Sequence, residues 1–127
     1  MNTKAERAIE LHKKGYNCAQ AVACTFCKDL GINEEEMFRI SEGFGLGMGM
    51  MEMCGALSGM TMIIGLENSV GDPEKGAPTK TQTYKAVQKY INKFKENNGS
   101  YICRELKGVE QKRCSVPAIS VFWMQWR

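Results

Sequence analysis

Apolar residues along this chain recur every three or four positions and never alternate for the length of a strand, so the pattern predicts helices from end to end. A first helix is expected over residues 3–14, with Ala5, Ala8, Ile9 and His12 as one stripe and Gly15 as its stop. Asn17 is placed to cap a second helix over 18–30, where Val22, Phe26 and Leu30 share a face and Gly31 follows. Asn33 ahead of Glu34, Glu35 and Glu36 is a strong third start, because the amide oxygen takes orphan N–H groups and the carboxylates suit the positive helix end. That helix turns Met37 and Ile40 inward and reaches Phe44. The stretch GFGLGMG, with glycine at 43, 45, 47 and 49, cannot hold a regular helix cheaply, so a turn is expected before a fourth helix over 51–66. NSVGDPEKGAP, residues 68–78, reads as a loop, and a fifth helix follows over 79–97 with Tyr84, Val87, Tyr90, Ile91 and Phe94 on one face. A short helical turn is expected within 100–108. The reading is one all-α domain over residues 1–127, a bundle of about five helices with a glycine-rich turn before the fourth, and no internal repeat.

Composition changes this picture little. At 127 residues, 43% hydrophobic and 24% charged, the chain suits one ordinary hydrophobic core. A formal net charge of +3, with lysines spread over helix faces and no aromatic interleaving, argues against a nucleic-acid partner. The first fifteen residues lack the apolar core of a signal peptide, which predicts a cytoplasmic protein. The longest apolar run, Cys54 to Leu66, is broken by glycines and falls short of the roughly 18 residues that argue a membrane span. It reads as a buried helix. The segment SVPAISVFWMQWR, residues 115–127, is apolar, and leaving Phe122, Trp123 and Trp126 in water would be costly. It is expected to pack on the chain's own core or on a second subunit, as a homodimer contact.

Six cysteines, at 18, 24, 27, 54, 103 and 114, are many for a reducing compartment, where thiols kept in number are metal-binding, catalytic or buried. Cys18 follows the cap Asn17, Cys54 stands early in the fourth helix, and Cys103 opens CREL beside Arg104; helix N–H groups favour negative charge at such positions. Cys114 lies next to Lys112 and Arg113. Each cysteine alone is better read as a small buried hydrophobe, but the joint pattern, with three of the four at helix starts and none on an obvious amphipathic stripe, argues for chemistry. Cys24 and Cys27 form C-x-x-C inside a helix with no strand before it, and Cys27 shares a face with Ala23 and Leu30, so this pair reads as core. C-x-x-C-H is absent, which excludes haem attachment through that motif.

Gly55 and Gly59, with Ala56 and Ser58, form a flat helical strip that another backbone can approach, with Cys54 at its head. A tight helix crossing without chemistry fits the same spacing. Met48, Met50, Met51 and Met53 could offer thioethers to Cu(I), but they follow no single face, and adaptable packing is the better reading. GFGLGMG matches neither the dinucleotide fingerprint nor the Walker pattern, so no nucleotide site is expected. His12, on a lysine-flanked helix, reads as a surface or half-buried residue rather than a ligand. No Ser/His/Asp set stands out.

The stretches YNCAQAV around Cys18, GFGLGMGMMEMCGALSG with C-G-A-x-x-G at Cys54, and GSYICREL at Cys103, followed by Cys114, resemble the redox-active family named for its cysteine pattern, C_GCAxxG_C_C. The resemblance covers roughly residues 5–114. It implies a helical protein whose redox activity rests on Cys18, Cys54, Cys103 and Cys114, and it leaves Cys24 and Cys27 outside the set. A related domain occurs in split-Soret cytochrome c, which carries an iron–sulfur cluster beside its haems, so the resemblance also raises a cluster as a cofactor. The leading expectation is that these four cysteines converge, either as metal ligands of an iron–sulfur cluster or as thiols that cycle with disulfides, in an oxidoreductase or electron carrier with a redox partner protein. The alternative is a structural zinc site or a plain helical interaction module without redox chemistry. Zinc is disfavoured because its four cysteines usually arrive as close pairs.

Overall fold

The computed structural model describes residues 3–69, 71–76 and 78–110, and Cys114 and the apolar segment 115–127 lie outside them. The described residues form an all-α fold of six α-helices: α1 (Thr3–Lys13), α2 (Cys18–Phe26), α3 (Glu34–Ser41), α4 (Gly55–Asn68), α5 (Lys80–Asn98) and α6 (Cys103–Glu110). A single antiparallel bridge, Met53 with Ile102, is the only β pairing among them.

The two expected asparagine caps are in place. Asn17 Oδ1 accepts from the Gln20 N–H and Gln20 Oε1 accepts from the Asn17 N–H, both at 2.9 Å, so two orphan donors are satisfied reciprocally. Asn33 Oδ1 accepts from the Glu36 N–H at 3.0 Å. At the other ends Gly31 (φ 78°) and Gly99 (φ 89°) take the left-handed turn that closes a helix and that a side chain would resist.

Several boundaries differ from the periodicity reading. The second helix is α-helical only to Phe26 and tightens to a 3₁₀ turn over Cys27–Leu30. The third ends at Ser41, whose buried hydroxyl donates back to the Met37 carbonyl at 2.6 Å, and its Ile40 is 60% exposed, not inward. Met37 alone of the two turns into the core, because α3 is eight residues long and offers α2 one narrow face. On α5, Phe94 is buried and Val87, Tyr90 and Ile91 are half-buried, whereas Tyr84, near the start, stands exposed.

The largest difference precedes α4. The fourth helix starts at Gly55, four residues later than expected, because the preceding turn over Gly47–Met51 contains left-handed Gly47, Met48, Gly49 and Met51, and Leu46 before it is left-handed too. Three non-glycine residues with φ between 52° and 61° stand in this stretch, each costing about 1–2 kcal/mol of local strain.

The core is built where α2 and α4 cross. α2 is buried along almost its whole length, from Ala19 to Phe26, and α4 buries Gly55, Ala56, Leu57, Gly59, Met60, Ile63 and Ile64. Ala8 and Leu11 of α1 and Met37 of α3 join this cluster from the flanks, with Phe94 of α5 and Leu106 of α6. A Cβ on Gly59 would lie 2.7 Å from the Ala19 carbonyl oxygen and 3.0 Å from Val22 Cβ, so α4 touches the backbone of α2 at this position. Gly59→Ala is therefore expected to destabilise the protein by about 1–3 kcal/mol through overpacking. Gly65→Ala, on the same helix with no atom within 4 Å of the added carbon, is expected to stabilise by about 0.5–1 kcal/mol. Urea midpoints of the two variants moving in the same direction would contradict the crossing.

Candidate redox site

Cys18 is the first residue of α2, immediately after the Asn17 cap, and is half-buried. The cap is itself anchored, since Asn17 Nδ2 donates to the Glu42 carbonyl at 2.9 Å. Gly45 leaves it room: a Cβ there would overlap the Asn17 side chain at 2.3 Å. The turn from α1 into α2 closes with the Gly15 N–H donating to His12 O and the Tyr16 N–H to Leu11 O, each at 3.1 Å. That tight reversal brings His12, in the last turn of α1, back over the start of α2, with Nε2 at 3.5 Å from Cys18 Sγ.

Cys54 is the residue that caps α4, in extended conformation (ψ 130°) rather than inside the helix as the sequence suggests. It is 2% exposed. Its N–H donates to the Tyr101 carbonyl at 2.9 Å, and the Cys103 N–H donates to the Glu52 carbonyl. These two bonds bracket the Met53–Ile102 bridge, which is thereby a pair of the non-hydrogen-bonded kind. Cys54 and Cys103 each follow a bridge partner, so they stand diagonally across the ladder on the same side, a relation that spans about 7–8 Å in regular sheets. Cys103, the first residue of α6, is 6% exposed.

Cys18 meets this pair through Gly55. A Cβ on Gly55 would lie 3.3 Å from Cys18 Cβ and 3.2 Å from the Phe44 carbonyl oxygen, so the start of α4 is pressed against the start of α2. Ala56, the next residue, is fully buried. The N-termini of α2, α4 and α6 thus meet around residue 54, each with a cysteine at its first turn or cap. A helix start presents N–H groups and the positive end of the dipole, and three of them together form a setting that favours negative charge.

The surroundings modify two expectations. Arg104 does not offer an uncompensated charge beside Cys103: its guanidinium donates to Glu52 Oε2 at 2.7 Å and to the Met50 carbonyl at 3.3 Å, so it clamps α6 to the turn before Cys54. Met48 and Met50 are 53% and 69% exposed and Met53 is half-buried against the core.

His12 is the site residue that sequence reasoning missed. His12 is half-buried, as the sequence suggests, but its contact with Cys18 was not foreseen: six positions with a glycine turn between them suffice to fold the end of one helix onto the start of the next. The cue was the glycine at 15 ahead of a cap at 17, which shortens the connection.

No disulfide joins the described cysteines. Among the described residues, no group of three or more His, Cys, Asp or Glu side chains is close enough to hold a metal ion. Cys18, Cys54 and Cys103 are three of the four expected thiolates, the number an iron–sulfur cluster usually takes, and the fourth, Cys114, lies outside the described residues.

Cys24 and Cys27 belong to the core, 4% and 0% exposed, and face the α2–α3 packing with Cys24 Sγ directed at the Glu34 carbonyl and Cys27 Sγ donating to Cys24 O at 3.4 Å. Burial pushes the Cys24 thiol up to about 12, helped by the neighbouring Cys27 and Glu34 charges. Cys27 is raised as well, first by burial and then by Glu34. In the unfolded chain such thiols ionise near the ordinary value of 9.0. The unfolded state therefore releases their protons first, so their contribution to stability is intact below about pH 9 and falls as pH rises from there towards 12. Wild type is expected to lose urea resistance between about pH 9 and 11 more steeply than a Cys24→Ala/Cys27→Ala double variant. Parallel slopes would show that these thiols do not carry the effect.

No curated protein and no solved structure matches the chain. The family described as "Putative redox-active protein (C_GCAxxG_C_C)" matches residues 16–120, a span that takes in Cys18, Cys54, Cys103 and Cys114. With most of its length matched, and with three of those cysteines standing at helix starts that meet around residue 54, the chain belongs to the C_GCAxxG_C_C family.

Proposed function

We propose that this protein is a two-electron redox carrier that works by reversible thiol–disulfide exchange, with Cys18, Cys54, Cys103 and Cys114 as its working thiols. The observation that carries the reading is the junction at Cys54, where the starts of α2, α4 and α6 meet. Thiol exchange needs sulfurs near one another and an environment that tolerates negative sulfur; helix N-termini supply the second condition, and the glycine approach and the bridge supply the first. When two protein thiols close to a disulfide, two electrons and two protons pass to a partner disulfide, which becomes two thiols. Cys24 and Cys27, buried and held protonated, stand aside from the cycle.

The test is a redox titration in mixtures of reduced and oxidised dithiothreitol, with remaining thiols alkylated after unfolding and assigned by mass. Wild type is expected to lose thiols in pairs, reversibly, from the set of four, while Cys24 and Cys27 stay reduced; Cys54→Ser should abolish or displace the step. A thiol count unchanged across the range would overturn the reading. Bound iron with broad visible absorption in anaerobically purified protein, lost in Cys54→Ser, would replace thiol exchange by a cluster.

A further inference from the structure

We infer that the thiols have an order of action: Cys18 is the attacking thiol, His12 is its proton partner, and Cys54 is the thiol that resolves the resulting mixed disulfide. This rests on the thiol-exchange reading above.

Access is the first argument. Of the five described cysteines, Cys24, Cys27, Cys54 and Cys103 are all buried, and Cys18 alone is half-exposed. An external disulfide must be reached along its S–S axis by the attacking sulfur, so a sulfur sealed in the core cannot act first. Cys18 lies between the end of α1 and the start of α4.

The contact with His12 is the second. Nε2 at 3.5 Å is within hydrogen-bonding range of a sulfur, and imidazole beside a thiol is a recurring way to raise its nucleophilicity, since the ring holds the proton while the thiolate attacks. The imidazole is also half-buried, so it can exchange protons with water.

The third argument is the contact between the starts of α2 and α4. Gly55 lets Cys18 Cβ come against the first residue of α4, and Cys54 is the next residue back along the chain. In the first step Cys18 Sγ passes its proton to His12 and attacks one sulfur of the substrate; the substrate S–S bond breaks, and the departing thiolate takes the proton from the imidazolium. In the second step Cys54 Sγ attacks Cys18 Sγ, the mixed disulfide breaks, and the second substrate thiolate leaves with the proton that Cys54 gives up. The sum is two protein thiols and one disulfide giving one protein disulfide and two thiols.

Glutathione disulfide and iodoacetamide are the probes. In brief labelling of the folded protein, Cys18 is expected to react ahead of every other cysteine, and His12→Gln to slow that reaction at least about tenfold with an unchanged urea midpoint. Cys54→Ser exposed to glutathione disulfide should accumulate a glutathione adduct on Cys18, whereas wild type should proceed to a Cys18–Cys54 disulfide. Adducts first on Cys103 or Cys114, or a His12→Gln variant that labels at the wild-type rate, would overturn this assignment and leave the redox reading standing. Neither an adduct nor an internal disulfide in any variant would overturn both.

Discussion

The rest of the structure depends on the close approach of α4 to the backbone of α2. Gly59 sits where even a methyl group would meet the Ala19 carbonyl, and Gly55, one turn earlier, sits against Cys18. Small residues at this spacing remove the side-chain layer that normally separates two helices, so the axes draw together and their buried faces interlock. Phe26, Val22, Leu57, Met60 and Ile63 then close the core around the crossing, every one of them at most 1% exposed. The same contact brings the start of α4, and with it Cys54, to the start of α2. Packing and site geometry share one cause.

A second constraint brings in α6. Most of the chain between Gly47 and Met51 is held in left-handed turns that ordinary side chains resist, and it leads into Glu52–Cys54, which hydrogen-bonds to Tyr101–Cys103. Arg104 binds Glu52 and the Met50 carbonyl from the α6 side. One residue pair and an ion pair thus fasten the end of the described chain to its middle, far apart in sequence. Leu106, buried in the core, docks α6 from its other side.

What could be read in advance was local. Asn17 as a helix cap and Gly31 as a helix stop were legible, because these effects need only neighbouring residues; the return bond from Gln20 was not read. The glycine strip at 55 and 59 was visible for the same reason. The start of α4 was not: Met51 looks like a good helix residue, and only its place in a strained turn set by distant partners removes it from the helix. Ile40 was assigned inward by period alone, but a short α3 has too little facing surface to bury it. The Met53–Ile102 bridge joins two positions with no strand pattern around either, so no periodicity announces it. His12 escaped because its role arises from the direction of a turn, not from any motif.

In this account the helix starts converge because glycines let α4 touch α2 and a single bridge ties α6 to the residue before Cys54. Nuclear Overhauser spectroscopy of the reduced protein tests this most directly. A non-hydrogen-bonded antiparallel pair brings its two Hα atoms into close contact, so a strong cross-peak is predicted between Met53 Hα and Ile102 Hα, together with one between Cys18 Hβ and Gly55 Hα. Absence of both, with α6 giving contacts elsewhere on the protein, would contradict the convergence on which the redox reading stands.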